Sequence, residues 1–328
     1  MRKNSPLILA VVAALIGWFV VQNGGLNGVK LPFDLPFNLP TTNVQPPPPR
    51  GNDTIRIASF NIQVFGESKL QNPRAMQAIV AILKQFDVIA IQEVRAESQE
   101  VMPRLIALLN ADGQFQYDYV IGPRLGRSSS KEQYAFVFDM ATIEIDRNQL
   151  YTLDDPDDLL HREPLVGWFR ARGPEVGQAF TFSLANVHTD PDEVGRELDA
   201  LEQAFFAVRD DGRMEDDVIM LGDFNAAGDK LKKLGQIGGL ARVIVGKTPT
   251  NTRRSEQYDN ILFHSTATTE YTGRGGVYDF LREPQNNFTL EQALEVSDHL
   301  PIWAEFSVFE GGRPGPVATI PGQPANGF

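Results

Sequence analysis

Apolar runs in this chain end, one after another, in a polar side chain, and this pattern constrains the fold more than any other feature of the sequence. Runs such as TIRIASFNI and DVIAIQEV have the length and apolar content of buried strands. Strand tips deliver side chains to one rim of a sheet, and such a rigid scaffold suits a catalytic site. The polar residues at predicted strand tips are Asn61, Glu93, His188, Asp223 with Asn225, Asp259, and Asp298 with His299.

Each of these residues taken alone has an ordinary structural explanation. A single Asp at a strand end is usually a turn residue, and a single His is usually a satisfied surface or core residue. Six such sites along one chain are hard to obtain by chance. We therefore expect the tips to converge on a single pocket.

The order of the predicted elements indicates an α/β (α+β) fold. One helix is predicted over NPRAMQAIVAILKQF, which begins with Asn72 as a cap and Pro73 at its first position, and another over DEVGRELDALEQAFFAVRD. Strands alternate with helices at first and then dominate. This order predicts large mixed sheets with helices outside them.

Charge and composition exclude several kinds of site. The net charge of the 328-residue chain is −12, which argues against binding of polyanions through a basic surface. A phosphate substrate would therefore need specific arginines or bound divalent cations. The chain has no cysteine, so disulfides and thiolate metal sites are excluded, and any metal must be held by oxygen or imidazole.

The residue types at the strand tips match the needs of phosphodiester hydrolysis. That reaction needs an in-line water, charge compensation on the non-bridging oxygens and a proton for the leaving oxygen. Glu93 and Asp298, with Asn61 beside them, are candidate ligands of a hard cation such as Mg²⁺. Two histidines can share the proton transfers if a carboxylate orients each ring, and Glu132 and Asp259 are the available partners. Spacing alone does not assign the pairs.

Short motifs within residues 54–308 carry a family resemblance. IQEVR, GDFN and SDH are typical of one superfamily, and FNIQVFGESK, LGRSSSKE and REP are typical of one of its branches. By these motifs the chain resembles the endonuclease/exonuclease/phosphatase superfamily, and within it the deoxyribonuclease I branch most. The resemblance implies a four-layer sandwich of two central, mainly antiparallel or mixed β-sheets flanked by helices.

The resemblance also implies a role for each residue of the site. It implies that His188 and His299 are catalytic. Glu132 would support His188, and Asp259 would support His299. The groups implied to bind the divalent cation, Mg²⁺ or Mn²⁺, and the scissile phosphate are Asn61, Glu93, Asp223, Asn225 and Asp298. The residues implied to contact DNA are Arg95, Arg127 and Arg162, with Arg127 in the minor groove. A cation and a few arginines acting locally would let an acidic protein hold DNA.

Two departures from the family pattern bear on DNA affinity and on metal content. Ser130 stands where the family has a tyrosine that packs on a sugar, and the loss of a stacking contact of about 1–3 kcal/mol predicts weaker binding and bending of DNA. The loop DDPDDLLHREP is shorter than in animal relatives and lacks their disulfide. It keeps Asp155, Asp158 and Glu163, which match a structural Ca²⁺ site. The alternative is an acidic turn without an ion.

The termini differ in composition from the central domain. Residues 1–22 contain a basic flank and an apolar run, which predict a secretory signal or, as we favour, an uncleaved membrane anchor rather than a buried core helix. Residues 23–52 are rich in Pro and Gly and predict an extended linker. Residues 53–310 form the predicted endonuclease/exonuclease/phosphatase domain, and 311–328 predict a disordered tail. We expect a membrane-anchored or secreted protein with its catalytic domain outside the cytoplasm.

The function predicted from these features is that of a divalent-metal-dependent endonuclease, which hydrolyses DNA phosphodiester bonds by His-assisted attack of water. The alternative enzyme is a phosphodiesterase or phosphatase of the same superfamily that acts on a lipid or inositol phosphate, although the sequence has no long aromatic hairpin that could enter a bilayer. A DNA-binding module without catalysis is disfavoured because both histidines and both supporting carboxylates are retained. We expect a monomer with DNA as substrate and no protein partner.

Overall fold

The structure is a computed structural model that describes residues 53–127, 131–282 and 288–312. The predicted anchor at 1–22, the linker at 23–52, Ser130 and the tail from 313 onward lie outside these ranges. Within them, no helix has the length and apolarity needed to span a membrane.

Twelve strands and five α-helices make up the described part of the chain. The strands are β1 (Thr54–Phe65), β2 (Val88–Val94), β3 (Tyr117–Ile121), β4 (Gln133–Asp139), β5 (Ile143–Thr152), β6 (Leu165–Ala171), β7 (Thr181–His188), β8 (Val218–Asp223), β9 (Leu240–Arg242), β10 (Asp259–His264), β11 (Tyr271–Val277) and β12 (Ile302–Ser307). The helices are α1 (Glu67–Leu70), α2 (Pro73–Leu83), α3 (Val101–Leu109), α4 (Val194–Arg209) and α5 (Leu290–Val296).

The strands form two six-stranded sheets. The first sheet has the order β11-β12-β1-β2-β4-β3, and the second sheet has the order β5-β6-β7-β8-β10-β9. Each sheet contains one parallel pair at its centre, β1 with β2 and β7 with β8, and the other neighbours are antiparallel. The predicted fold of two mainly antiparallel, mixed sheets flanked by helices is confirmed.

This topology brings the predicted strand tips to one edge of the sandwich. The carboxyl ends of β7 and β8 lie side by side, with His188 opposite Asp223, and antiparallel β10 begins with Asp259 opposite Asp223. In the first sheet, antiparallel β4 begins opposite the end of β2, so Glu132 lies at that same end. A strand that ends at the edge and an antiparallel neighbour that begins there therefore contribute equally to one pocket.

Aromatic side chains fill the space between the two sheets. Phe136 of β4 meets Phe169 of β6 edge to face, with ring centroids 5.3 Å apart. Phe169 stacks on Phe182, Phe182 on Phe180, and Phe180 on Phe306 of β12. The contacting rings thus connect the first sheet to the second sheet and the second sheet back to the first. All five are buried in one apolar cluster, which holds the sheets face to face.

Helices bury apolar stripes on the outer sides of the sandwich. Leu198, Leu201 and Phe205 of α4 share an apolar cluster with Val187 and Met220 on the outer face of the second sheet. On the other side, α2 contacts α3 and α5, and α3 contacts β3 of the first sheet. These contacts place a helical layer on each side of the two sheets.

Most predicted elements are present, with two informative differences. Asn72 caps α2 as expected, because its side-chain oxygen accepts a hydrogen bond from the Ala75 amide at 3.2 Å. Strand β1, however, continues past Asn61 to Phe65, with a shift of its register against β2 between these residues. The sequence pattern does not predict four of the strands, β3, β5, β9 and β11. Much of β5 is polar and half-exposed, and β11 is rich in glycine.

Position 222 in the GDFN motif must be glycine, because the neighbouring strand leaves no room for a side chain. Its φ is +149°, and a Cβ built there would lie 1.9 Å from the carbonyl oxygen of Val187 on β7.

We predict that Gly222→Ala lowers the free energy of unfolding by more than about 3 kcal/mol, since it strains the backbone and the β7–β8 pairing. Urea unfolding measures the change. Gly238→Ala, where a Cβ meets nothing within 4 Å, is the control, and equal losses in both variants would contradict the prediction.

Candidate active site

The carboxylate of Asp223 lies at the centre of the pocket, between two imidazole rings. Its Oδ2 is 3.6 Å from His188 Nε2 and 3.5 Å from His299 Nε2. The same oxygen accepts a hydrogen bond from Asn61 Nδ2 at 3.1 Å, and Oδ1 accepts one from the Asn225 amide at 2.9 Å. Side chains from both sheets therefore meet at one buried carboxylate.

The ring of His188 is anchored to a carboxylate from the opposite sheet. Its Nδ1 lies 2.7 Å from Oε1 of Glu132, which is fully buried. Arg162 Nε is 3.3 Å from the same oxygen, and Arg95 Nη2 is 3.4 Å from Oε2. Burial raises the pKa of Glu132, but His188, Arg162 and Arg95 outweigh burial and hold that pKa below its usual value. The carboxylate orients the ring so that Nε2 faces Asp223.

The ring of His299 has a similar anchor in different surroundings. Its Nδ1 lies 2.9 Å from Asp259 Oδ2, which also accepts a hydrogen bond from Thr250 Oγ1 at 2.6 Å. Burial raises the pKa of Asp259. Burial lowers the pKa of His299, but the carboxylates of Asp259 and Asp223 outweigh it and raise that pKa to about 10. The ring therefore favours its protonated form when no other cation is near.

Glu93, Asp298 and Asn61 offer the oxygens that a hard cation needs. Asn61 Oδ1 and Asp298 Oδ1 are buried and accept no hydrogen bond within the described part of the chain. Asp298 Oδ2 accepts one from Gln63 Nε2 at 2.8 Å, and Glu93 Oε2 lies 3.1 Å from Arg95 Nη2. Buried acceptors without donors are unfavourable unless water or an ion satisfies them. The predicted ligand set thus fits a divalent cation by its chemistry.

Backbone irregularities lie at Glu93, one of these candidate ligands, and at Val64, which contacts it. Glu93 has φ +63° and Val64 has φ +48°, values that are uncommon for residues with a side chain. The register shift of β1 between Asn61 and Phe65 lies beside them. The Val64 amide donates a hydrogen bond to Glu93 Oε2 at 2.8 Å, so the two irregular segments hold each other. Such irregularities re-aim side chains and cluster at functional sites.

Lys69 and Gln63 belong to the site, although the strand-tip pattern gives no signal for either residue. Lys69 Nζ donates hydrogen bonds to the carbonyl oxygens of Gln63 and, at 2.7 Å, Val296. Burial lowers the pKa of Lys69 to about 8, against the effect of Asp298 and Glu93, which raise it. The motif FNIQVFGESK, which contains both residues, is the sequence signal that could have found them.

Arg95 and Arg162, two of the arginines implied to contact DNA, differ in their exposure. Arg95 is partly exposed at the pocket and pairs with Glu93. Arg162 is 7 % exposed, and it donates hydrogen bonds to the carbonyl oxygens of His188 and Thr189 at 3.1 and 3.2 Å. Its guanidinium therefore supports the end of β7. A direct contact of Arg162 with DNA stays a prediction that this buried position does not favour.

Arg127 occupies the same region as the acids of the predicted Ca²⁺ site. It donates hydrogen bonds to Asp158 Oδ1 and Glu193 Oε2, both at 3.0 Å. Among the described residues, Asp155, Asp158 and Glu163 do not form a group whose carboxylate oxygens lie within 4.8 Å of one another. Calcium binding at this loop stays a prediction, and the ion pair of Asp158 with Arg127 competes with it.

Comparisons with known proteins assign the family. The profile of the Endonuclease/Exonuclease/phosphatase family matches residues 58–299. Deoxyribonuclease gamma of Rattus norvegicus is 32 % identical over 264 residues, which cover 76 % of this chain and 83 % of that protein. Deoxyribonuclease-1-like 1 of Sus scrofa is 33 % identical over 268 residues, which cover 78 % and 82 %. The chain therefore belongs to the endonuclease/exonuclease/phosphatase family, and its relatives indicate a hydrolase of phosphodiester bonds.

The fold has counterparts among solved structures. That of D. rerio TDP2 complexed with single-strand DNA product matches with a TM-score of 0.52 and 14 % identity, over 77 % of this chain and 98 % of that chain. At this level of identity the likeness concerns the fold alone. It agrees with the two-sheet sandwich described above.

The anchored His299 ring leads to a prediction about pH. In the metal-free chain with EDTA, we predict that the ring stays protonated up to about pH 10, compared with an ordinary pKa of 6.5. Because the folded pKa is raised, its contribution to stability is full below pH 6.5 and is lost as the pH rises through the folded pKa. Asp259→Asn should lower that pKa, since it removes the carboxylate that raises it most.

Nuclear magnetic resonance of the imidazole C–H groups measures the titration directly. Asp210→Asn, which removes a carboxylate with no burial at the far end of α4, is the control and should leave the curve unchanged. Titration of His299 near pH 6.5 in the unaltered chain would contradict the prediction.

Proposed function

We propose that the chain is a divalent-metal-dependent endonuclease that hydrolyses DNA phosphodiester bonds by His-assisted attack of water on the scissile phosphate. The observation that carries this proposal is the pair of imidazoles, His188 and His299, whose Nε2 atoms face one carboxylate oxygen of Asp223. Relatives that bear the name deoxyribonuclease and cover most of the chain support DNA as the substrate.

In the proposed reaction the two rings divide the proton transfers. One imidazole accepts a proton at Nε2 from the attacking water, whose oxygen forms a bond to phosphorus as the bond from phosphorus to the leaving oxygen breaks. The other ring, protonated, donates a proton from Nε2 to that leaving oxygen. Nε2 is the reactive atom of each ring because Nδ1 is held by Glu132 or Asp259. Asp223, between the rings, stabilises whichever ring carries the proton.

Glu93, Asp298 and Asn61 would hold the divalent cation, which we propose to be Mg²⁺ or Mn²⁺. When bound, the cation would supply positive charge to the non-bridging phosphate oxygens. Arg95, which pairs with Glu93, brings a fixed positive charge to the same rim. The remaining side chains orient the substrate and keep the ligands in place.

Recognition of DNA by a chain of net charge −12 must be local. We propose that Arg95 and Arg127, which are partly exposed, contact the nucleic acid, while buried Arg162 positions Glu132 and the end of β7. The apolar run at 1–22 supports a further proposal, that the catalytic domain acts outside the cytoplasm, anchored or secreted.

The histidine pair gives the most direct test of function. We predict that His188→Ala and His299→Ala each slow the nicking of supercoiled plasmid in Mg²⁺ by about 10³-fold, because general acid–base catalysis contributes about 10² to 10⁴-fold. The control is His264→Ala, at the end of β10 opposite to Asp259, which should keep its rate. Sphingomyelin and inositol phosphates serve as competing substrates. Turnover of either without nicking would replace the proposal with a lipid or inositol phosphate hydrolase.

Glu93 should be needed for activity but not for the fold. We predict that Glu93→Gln abolishes nicking, because it removes a charge from the proposed cation site. Its melting temperature should change little, since the amide oxygen can still accept the hydrogen bond of the Val64 amide. Plasmid nicking and thermal unfolding are measured on the same preparation. A collapse of the thermal transition would instead mark Glu93 as structural.

A further inference from the structure

A second group of carboxylates lies at the end of the sandwich opposite to the active site. Asp217 directly precedes β8, whose other end carries Asp223 about 20 Å away along the strand. Glu270 precedes β11, and Glu310 lies in the turn that follows β12. One carboxylate oxygen from each residue lies within 4.8 Å of the others. Asp217, Glu270 and Glu310 are called the basal acidic cluster below.

Two of these side chains are buried and incompletely hydrogen-bonded. Asp217 is 1 % exposed and Glu270 is 2 % exposed. Asp217 Oδ1 and Glu270 Oε2 accept no hydrogen bond in the part of the chain that the structure describes. The other oxygen of Glu270 accepts one from the Gly311 amide at 2.6 Å, and Glu310 Oε2 accepts one from the Thr181 amide at 3.3 Å. The Thr268 hydroxyl lies near enough to Asp217 to lower its pKa, but buried acceptors of this kind still need a proton, a water or a cation as partner.

The charges that act on the basal acidic cluster are negative. Glu215 and Asp216 lie beside it and add to the repulsion. Burial, together with this repulsion, raises the pKa of Asp217 to about 10 and that of Glu310 to about 7. Among the described residues, no Lys, Arg or His forms an ion pair with the three carboxylates. The cluster must therefore hold protons or a cation.

We propose that the basal acidic cluster binds a hard divalent cation with the size and coordination of Ca²⁺. Carboxylate oxygens are the ligands that Ca²⁺ prefers, and two of them stand unpartnered here. Three separate segments supply them, and Ca²⁺ accepts such irregular sets of ligands, whereas Mg²⁺ demands near-octahedral geometry. The ion would tie the start of β8 in the second sheet to β11 and the turn after β12 in the first. This inference does not depend on the proposed nuclease activity.

Trp168 makes the proposal testable with a luminescent ion. Its Nε1 donates a hydrogen bond to Glu215 Oε2 at 2.9 Å, and Glu215 Oε1 accepts one from the Asp217 amide at 3.0 Å. The indole therefore lies next to the cluster and can transfer excitation to Tb³⁺ bound in place of Ca²⁺. The full chain should show Tb³⁺ emission on excitation of tryptophan, and excess Ca²⁺ should displace it. Trp168→Phe should remove the emission.

Matched variants separate this site from the active site. Asp217→Asn and Glu270→Gln should each weaken Tb³⁺ binding by at least about 10- to 100-fold, the loss that is typical even for a residue that only supports a ligand. Glu93→Gln, in the active site, and Asp229→Asn, which removes an exposed carboxylate, should keep the Trp168-sensitised Tb³⁺ emission of the unaltered chain. Equal emission in all four variants would overturn the proposal, and so would the absence of Trp168-dependent emission from the unaltered chain.

Thermal unfolding provides a second measurement. Ca²⁺ should raise the melting temperature of the unaltered chain and of Asp229→Asn by more than that of Asp217→Asn or Glu270→Gln. In EDTA the last two variants should melt at or above the unaltered chain, because each replaces a buried carboxyl group, whose ionisation the neighbouring carboxylates oppose, by a neutral amide. The proposal would be overturned if Ca²⁺ left the melting temperature of the unaltered chain unchanged while these two variants melted above the unaltered chain in EDTA. That result would identify a cluster of carboxyl groups that share protons and bind no cation.

Discussion

A buried amide fixes how the two sheets meet, and the active site depends on that fit. Asn186 of β7 donates hydrogen bonds from Nδ2 to two backbone carbonyl oxygens of the first sheet, on β2 and β4, at 3.1 and 3.2 Å, and its Oδ1 accepts one from Gln92 Nε2 at 2.6 Å. The aromatic core alone would tolerate several offsets between the sheets, whereas directed bonds in a dry interior favour one. Glu132 and His188 come from different sheets, so their 2.7 Å contact exists only at that offset.

The two carboxylate–imidazole pairs differ because their surroundings differ. Glu132 has two guanidinium groups beside it, which keep its pKa low despite complete burial. Asp259 has a hydroxyl from Thr250 instead, and burial raises its pKa. Both rings share Asp223, which favours the cationic form of each. Two pairs with the same local chemistry therefore acquire different electrostatic properties from the strands around them.

The strand tips could be predicted because an apolar run followed by a polar residue is a local signal. His188, Asp223 and Asp259 lie where that signal puts them, at one edge of the sheets. The pattern is wrong in detail at Asn61, which precedes a register shift inside β1 and does not end the strand. Shifts of this kind depend on the pairing of strands that are distant in sequence, so no local pattern contains them. The burial of Arg162 likewise depends on residues distant in sequence, His188 and Thr189 at the end of β7.

Strand β8 shows how position in the fold decides the chemistry of a residue type. Asp223 ends the strand, where two imidazoles outweigh burial and lower its pKa. Asp217 precedes the same strand, where other carboxylates add to burial and raise its pKa to about 10. The first carboxylate is stabilised as an anion by the groups around it, and the second is not. A chain of net charge −12 thus concentrates compensating positive charge at its catalytic edge and leaves the opposite edge to be neutralised from outside.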